Sequence, residues 1–118
     1  MCGLTGYISF NKKNHGSDKL LLKMTKEIKH RGPDSFGIKN IYTSTGVNIG
    51  LGHTRLSILD LSENGNQPFD YKDFTIIYNG EIYNFKEIRK ELIGLGHKFK
   101  TECDTEVIVH SFEQWRNK

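Results

Sequence analysis

The first ten residues, MCGLTGYISF, constrain the fold most, because a β-rich segment begins almost at the start of the chain. Chain ends usually fray unless something ties them down. Leu4 to Phe10 has the composition of a strand, so we expect a sheet to hold this end. Cys2 then lies directly before a strand. Removal of Met1 would give this one residue both a thiol and a free α-amine.

The α-amine of Cys2 would suit acid–base chemistry. Its reference pKa is about 7.7–8.0, so it can accept a proton near neutral pH. A nucleophile with its own amine as general base needs no histidine partner. The alternative is that Cys2 is a small buried residue at the start of a strand.

The rest of the chain alternates strand and helix signals. Ser17 can cap a helix over Asp18 to His30, and Gly32 with Pro33 ends it. The remaining predicted strands are Ile38 to Thr43, Val47 to Thr54, Phe74 to Asn79 as a buried strand, and the short HKFK segment (97–100). The remaining predicted helices run from Asn84, with Glu87 in a capping box, to about Leu95, and from Asp104 through Trp115.

Composition excludes several classes of protein. Hydrophobic residues make up 36% of 118 residues, with 12 further glycines, which favours a globular domain or part of one. The net charge of +3 is weak evidence for nucleic-acid binding. The two cysteines form no C-x-x-C pair, so no zinc site is expected. No signal peptide and no apolar run of about 18 residues is visible, so we expect a cytoplasmic protein without a membrane contact.

Two polar segments are candidates for chemistry. In YNGEIYN (78–84), the Asn79 carboxamide and the Gly80 N–H could donate hydrogen bonds to a developing oxyanion; the alternative is an ordinary turn. Arg55, at a strand end in GHTRLSILDLS (52–62), could clasp a carboxylate, or could be a surface arginine. Asp104 could cap a helix or bind a substrate ammonium. The histidines are expected to have structural or surface roles.

Five segments together say more than each does alone. MCGLTGYISF, HRGPDSFG, GHTRLSILDLS, NGEIYNF and DTEVI occur in an order and spacing that resembles the class II glutamine amidotransferase domain. HRGPD with RLSI and NGEIYN resembles its glutamine-hydrolysing asparagine synthetase branch. The resemblance covers Cys2 to about His110. It implies an α+β N-terminal-nucleophile hydrolase fold, an αββα sandwich of antiparallel sheets, incomplete at the C-terminus in this chain.

The resemblance also implies roles for single residues. Cys2 matches the nucleophile, and Asn79 and Gly80 match the oxyanion hole. Arg55 matches the residue that holds the α-carboxylate of L-glutamine, and Glu81 and Asp104 match groups around its α-ammonium. HRGPD matches a supporting loop. The matched glutamine-binding positions are Arg55, Leu56, Ser57, Ile58, Leu59, Asn79, Gly80, Glu81 and Asp104.

Two departures from the family pattern matter. Cys103 stands where this branch more often has serine; it is either a small residue that replaces a similar one or a second thiol near the pocket. No S-G-G-x-D-S segment occurs, so ATP and Mg²⁺ are expected only for a synthetase domain that these residues lack. The expected function is therefore the glutaminase half of asparagine synthesis, with a homodimer as the assembly considered for the full-length enzyme. The alternatives are another acceptor, an inactive fragment, or a small basic nucleic-acid-binding module.

Overall fold

The computed structural model describes residues 1–10, 16–57 and 65–116. Strands and helices share the chain, as the α+β prediction requires. In chain order the elements are β1 (Gly3–Ser9), α1 (Asp18–Glu27), a 3₁₀ turn (Lys29–Arg31), β2 (Ser35–Tyr42), β3 (Asn48–Arg55), β4 (Phe69–Tyr71), β5 (Phe74–Ile76), α2 (Phe85–Gly94) and α3 (Asp104–Trp115).

The N-terminal segment belongs to a three-stranded antiparallel sheet in which β3 is central and β1 and β2 flank it. Gly3 pairs with Thr54, and Ser35 pairs with Arg55. The starts of β1 and β2 therefore both lie at the end of β3. This register brings Cys2, one residue before β1, beside the segment that follows β3.

Helix α1 covers one face of this sheet. The Ser17 hydroxyl accepts a hydrogen bond from the Leu20 N–H and caps the helix, as predicted. Leu21 and Thr25 are fully buried, and a buried leucine contributes about 1.5–3 kcal/mol. A Cβ at Gly52 of β3 would lie 2.2 Å from the Thr25 hydroxyl, so only glycine permits this close approach.

The other face of the sheet meets the second sheet, the antiparallel pair of β4 and β5. Lys39 of β2 pairs with Asp70 and donates to the Thr75 hydroxyl at 3.2 Å. Helix α3 packs on this second sheet, where the rings of Tyr71 and His110 lie 4.0 Å apart. The second sheet thus contacts the first sheet through β2 and contacts α3 through β4.

The strand predicted at Phe74 to Asn79 is shorter than expected, and its partner was not predicted. Only Phe74–Ile76 is strand, and each of its residues is half-buried. The turn between the two strands lies at Lys72, which has a φ of 50°. The ladder ends at the pair Phe69–Ile76, because Phe69 is preceded by Pro68, which has no N–H to donate.

The strand predicted for HKFK (97–100) is wrong. Main-chain N–H groups of Lys100 and Thr101 donate to the two carboxylate oxygens of Glu106, at 2.8 and 2.7 Å. A segment whose donors are satisfied by a side chain has none left for a sheet partner. It therefore wraps around the first turn of α3.

The caps of the later helices differ in part from the predictions. Asn84 is the N-cap residue of α2, as predicted, and its carbonyl accepts from the Ile88 N–H at 3.2 Å, but its φ of −97° and ψ of 24° are not extended and its side chain makes no cap hydrogen bond. Asp104 is the first residue of α3, preceded by Cys103 in extended conformation. Its carboxylate accepts from the Ile82 N–H at 2.9 Å and so points away from its own helix.

The apolar core of the described residues is small, and much apolar surface stays exposed. Four hydrophobic side chains are buried: Leu21, Leu92, Val107 and Val109. On α3, Val107 is buried, whereas Phe112 is 53% exposed. Ile8 and Phe10 in or near β1 are 60% and 79% exposed. Across the described ranges, the helices are all too short or too polar to cross a membrane.

Candidate active site

A cavity of about 390 Å³ lies where the start of β1, the end of β3, the loop after β5 and the start of α3 meet. Most of the predicted site residues line this one cavity, although they come from four separate segments. The lining residues are Met1, Cys2, Arg55, Leu56, Gly65, Gln67, Tyr78, Asn79, Gly80, Glu81, Tyr83, Cys103, Asp104 and Thr105. Ser57 is described but lies outside the lining, and Ile58 and Leu59 fall outside the described residues.

Cys2 is held in the cavity by the main chain around it. The Leu56 N–H donates to its Sγ at 3.4 Å, and its thiol lies 3.7 Å from the Leu56 carbonyl oxygen. Arg31 Nε donates to the Cys2 carbonyl at 3.2 Å. These contacts fix both the side chain and the backbone of the second residue. Met1 also lines the cavity, so its removal would open space beside the thiol.

The HRGPD segment supports the end of β3 and supplies none of the cavity lining. A Cβ at Gly32 would lie 2.5 Å from the Thr54 main chain, so this close approach needs glycine. The Asp34 N–H donates to the Arg55 carbonyl at 3.0 Å, and the Asp34 carboxylate accepts from the Ser57 N–H at 2.7 Å. The segment therefore fixes the backbone on both sides of Leu56, which in turn contacts the thiol.

Arg55 is a buried cation at the edge of the cavity, with 6% of its surface exposed. Its Nη1 donates to the Asn66 side-chain oxygen at 3.0 Å, and that oxygen also accepts from the Ser35 hydroxyl at 2.9 Å. A Cβ at Gly65 would lie 2.4 Å from Nη2, so glycine makes room for the guanidinium. A surface-arginine role is excluded, because the guanidinium is packed and oriented.

Two carboxylates, Glu81 and Asp104, lie in the same cavity as Arg55. Asp104 is buried and is oriented by the Ile82 N–H. Burial raises the pKa of Tyr78, and the nearby charges of Asp104 and Glu81 raise it further, which keeps its hydroxyl protonated. The cavity therefore combines one fixed positive group with two negative groups.

Cys103 is a second free thiol and belongs to the cavity lining. Its Sγ lies 3.9 Å from the Asp104 carboxylate and 4.0 Å from the Thr105 hydroxyl. Among residues 1–10, 16–57 and 65–116, no group of three or more histidine, cysteine or acidic side chains is arranged to hold a metal ion.

Three residues that hold the cavity lining in place were not predicted from the sequence; Gln67 belongs to the lining itself, whereas Asn66 and His53 lie behind it. Asn66 orients Arg55, and Gln67 lines the cavity while it bonds Tyr78 and Thr105. His53, expected to have a structural or surface role, bonds the Tyr78 carbonyl. Asn66 and Gln67 lie in the polar run GNQP (65–68) before β4, and no local sequence pattern distinguishes a loop side chain that bonds a distant backbone from one in solvent.

Comparison with known proteins agrees with this geometry. A family model described as glutamine amidotransferase domain matches residues 1–118. Glutamine-hydrolyzing asparagine synthetases 3 and 1 of Bacillus subtilis are 39% and 41% identical over 98% and 100% of this chain. A nodule asparagine synthetase of Pisum sativum is 39% identical over 97% of it. The chain spans only 19%, 18% and 18% of these three relatives. The chain belongs to the glutamine amidotransferase domain family.

Proposed function

We propose that this chain hydrolyses the side-chain amide of L-glutamine and so supplies ammonia for ATP-dependent synthesis of asparagine from aspartate. The supporting observation is that one cavity gathers a thiol, a buried guanidinium and two carboxylates. The relatives that the chain matches are glutamine-hydrolyzing asparagine synthetases, and its family is that of a glutamine amidotransferase domain.

The charges of the cavity suit a free amino acid. Arg55 can bind an α-carboxylate with its planar pair of donors. Asp104 and Glu81 can bind the α-ammonium of the same molecule. With both ends of the backbone held, a side chain as long as that of glutamine would extend toward Cys2 and Asn79.

The chemical step uses residues of this chain only. After loss of Met1, the Cys2 amine takes the thiol proton while Sγ attacks the carboxamide carbon of glutamine. Asn79 and Gly80 donate hydrogen bonds to the resulting oxyanion, and removal of one such donor typically costs about 3–4 kcal/mol of barrier. The C–N bond breaks as the amine returns its proton, and ammonia leaves. Water then hydrolyses the γ-glutamyl thioester to glutamate and restores the thiol.

The complete family fold, an αββα sandwich, is part of this proposal. Its support is that α1 covers one face of the first sheet, the second sheet lies on the other face, and α3 packs on β4. We assign ATP, Mg²⁺ and aspartate activation to a synthetase domain outside these residues, and we propose a cytoplasmic setting and a homodimer for the full-length enzyme.

Labelling and ammonia release test the proposal. Intact mass should show loss of Met1, and peptide mass spectrometry should find Cys2 alkylated by a glutamine-like diazoketone. Cys103→Ser should keep this labelling, and Cys2→Ala should lose it. Retained Met1 with full glutaminase activity would refute the mechanism. Labelling confined to Cys103 would assign the role of nucleophile to Cys103 in place of Cys2.

Another acceptor in the full-length enzyme is the second candidate function. It is supported by the match of the whole chain to a glutamine amidotransferase domain, together with its span of only 18–19% of these relatives. Ammonia release would be unchanged, so the acceptor must be found with the complete enzyme. Absence of both ammonia release and labelling would favour an inactive fragment.

A further inference from the structure

Tyr78, the residue directly before Asn79, has its main chain held from both sides by side chains. Its N–H donates to the Gln67 side-chain oxygen at 2.5 Å, and its carbonyl oxygen bonds His53 Nε2 at 3.2 Å. The two holders come from different parts of the chain, since His53 lies on β3 and Gln67 lies before β4. Both peptide groups of Tyr78 are thereby fixed.

The state of His53 follows from its partners. A carbonyl oxygen only accepts hydrogen bonds, so Nε2 must carry the proton. Burial lowers the pKa of His53, and the charge of Arg55, two residues along β3, lowers it further, against the opposing effect of the Tyr78 carbonyl. Within the described ranges, Nδ1 is buried and has no hydrogen-bond partner. The imidazole is therefore neutral and makes one directional contact, which it makes to the Tyr78 segment.

Gln67 links the same segment to α3. Its side-chain nitrogen donates to the Thr105 hydroxyl at 3.2 Å, one residue after Asp104. Gln67 is itself buried, with 8% of its surface exposed. The positions of the Asn79 segment and of the Asp104 carboxylate are thus coupled through one side chain.

Asn79 and Gly80 have no such support of their own. Neither the Asn79 side chain nor the Gly80 N–H has a hydrogen-bond partner in the described part of the chain. Free donors suit a role in binding a ligand oxygen, and their direction is then set by the held residues on either side of them. Ile82, whose N–H donates to Asp104 at 2.9 Å, follows them, and Tyr78 directly precedes them.

We infer that His53 and Gln67 are positioning residues that set the direction of the oxyanion donors Asn79 and Gly80 by holding the two peptide groups of Tyr78. The inference rests on the proposed glutaminase function. Neither residue needs to touch the reacting atoms. Displacement of a donor by about 1 Å can reduce turnover by on the order of 100-fold, so loss of one holder should have a measurable effect.

Glutamine kinetics on the 118-residue chain test the inference. His53→Leu removes the donor at similar volume and should lower kcat about 10- to 100-fold, with KM for glutamine changed less than about 3-fold, because the groups assigned to the α-carboxylate and α-ammonium remain. His53→Gln, whose amide nitrogen can reach the position of Nε2, should restore most of kcat. His110→Leu is the matched control, since it removes an equally buried histidine outside the cavity, and kcat per folded molecule should be unchanged.

A double variant sharpens the test. Gln67→Met should also lower kcat, and His53→Leu with Gln67→Met should lose less than the product of the two single effects, because both act on one residue. Wild-type turnover in His53→Leu, or an equal loss in His110→Leu, would overturn the inference and leave the glutaminase function standing.

Nitrogen-15 NMR gives a readout that does not depend on turnover. His53 should show the neutral form with the proton on Nε2, and the Asn79 and Gly80 amide resonances should broaden or split in His53→Leu but not in His110→Leu. Sharp, unshifted resonances in His53→Leu would overturn the inference. If the wild-type chain neither releases ammonia nor becomes labelled, the proposed function fails, and these resonances still decide whether His53 holds the segment.

Discussion

Two fully buried histidines, His53 and His110, lie in regions that differ in how many of their polar groups already have hydrogen-bond partners. Burial lowers the pKa of both. His53 lies behind the cavity lining, bonds the main-chain carbonyl of the lining residue Tyr78 and has the Arg55 cation as its charged neighbour. His110 lies between acidic groups on α3, where Glu106 and Glu113 act on its pKa in the opposite direction to burial.

His110 belongs to a group that we call the histidine cluster, formed by Tyr71, His97, Glu106, His110 and Glu113. His110 Nε2 lies 3.3 Å from the Glu106 carboxylate, and the Nδ1 atoms of His97 and His110 lie 2.9 Å apart. The Tyr71 hydroxyl donates to Glu113 at 2.7 Å. The polar groups of the cluster bond mainly to one another and to nearby backbone, so they fix residues 97–101 on α3.

The cavity differs because some of its donors have no protein partner. Asn79 and Gly80 have none among the described residues, whereas the Glu106 carboxylate accepts four hydrogen bonds from Lys100, Thr101 and His110. Burial and perturbed pKa values therefore do not separate a functional region from a structural one here. The two regions differ in whether their donors and acceptors are already hydrogen-bonded to other groups of the protein.

The largest expected contrast between the regions comes from Cys2. Cys2→Ala should lower glutamine hydrolysis by at least about 10³-fold, because loss of a covalent nucleophile removes the whole pathway. Urea unfolding should change little, since the thiol makes only two weak contacts. Ammonia release measured on equal amounts of folded protein decides this, and residual activity within ten-fold of wild type would contradict the assignment.

Arg55 should affect binding more than chemistry. Loss of a shielded charge-assisted pair costs about 1.5–3 kcal/mol, so Arg55→Ala should raise KM for glutamine more than about ten-fold with a smaller change in kcat. Arg55→Lys should recover only part of the lost glutamine binding, because lysine lacks the planar pair of donors. An unchanged KM in steady-state kinetics would refute the role.

In the histidine cluster, substitution of a buried charged residue should affect stability and leave glutamine hydrolysis per folded molecule unchanged. Glu106→Gln places an amide NH₂ against main-chain donors, so we expect a loss of about 1–3 kcal/mol in the free energy of unfolding. Glu102→Gln is the matched control, because Glu102 forms an exposed pair with Arg89 and its side chain is 82% exposed; exposed pairs contribute at most about 1 kcal/mol. Equal losses in urea unfolding would contradict the contrast.

The smallest expected effect is on pH dependence. Because burial lowers the pKa values of His53 and His110, protonation favours the unfolded chain. The stability due to the neutral rings is complete above the unfolded pKa of about 6.5 and declines as pH falls below it. His110→Gln should flatten this decline in urea titrations between about pH 7 and 5. A free energy of unfolding that rises as pH falls would contradict this prediction.

Sequence patterns predicted the elements whose signals are local. The strands around Leu4 and Val47 and the helix capped by Ser17 follow from composition and caps within a few residues. The HKFK strand failed because Glu106, six residues after Lys100, accepts the N–H groups that a strand would use. The short β4 was missed because three residues carry too little periodicity.

The residues of the candidate site likewise fall into those predicted from local motifs and those that no local motif indicates. Cys2, Asn79, Gly80, Arg55 and Asp104 carry reactive groups in recognisable motifs, and the cavity brings them together. Asn66, Gln67 and His53 act through hydrogen bonds to backbone or side chains 11 to 38 residues away. Such contacts depend on how the two sheets lie against each other, which no local pattern specifies.

Because Gly3 pairs with Thr54, the number of residues before Gly3 determines where the Cys2 thiol lies. Once Met1 is removed, Cys2 alone precedes the first paired residue. One extra residue between Cys2 and Gly3 would move the thiol about 3.3 Å along the strand direction and turn it to the opposite side of the sheet. Related sequences that keep a terminal cysteine but change this spacing should have lost the thiol from the cavity, however well their other motifs match.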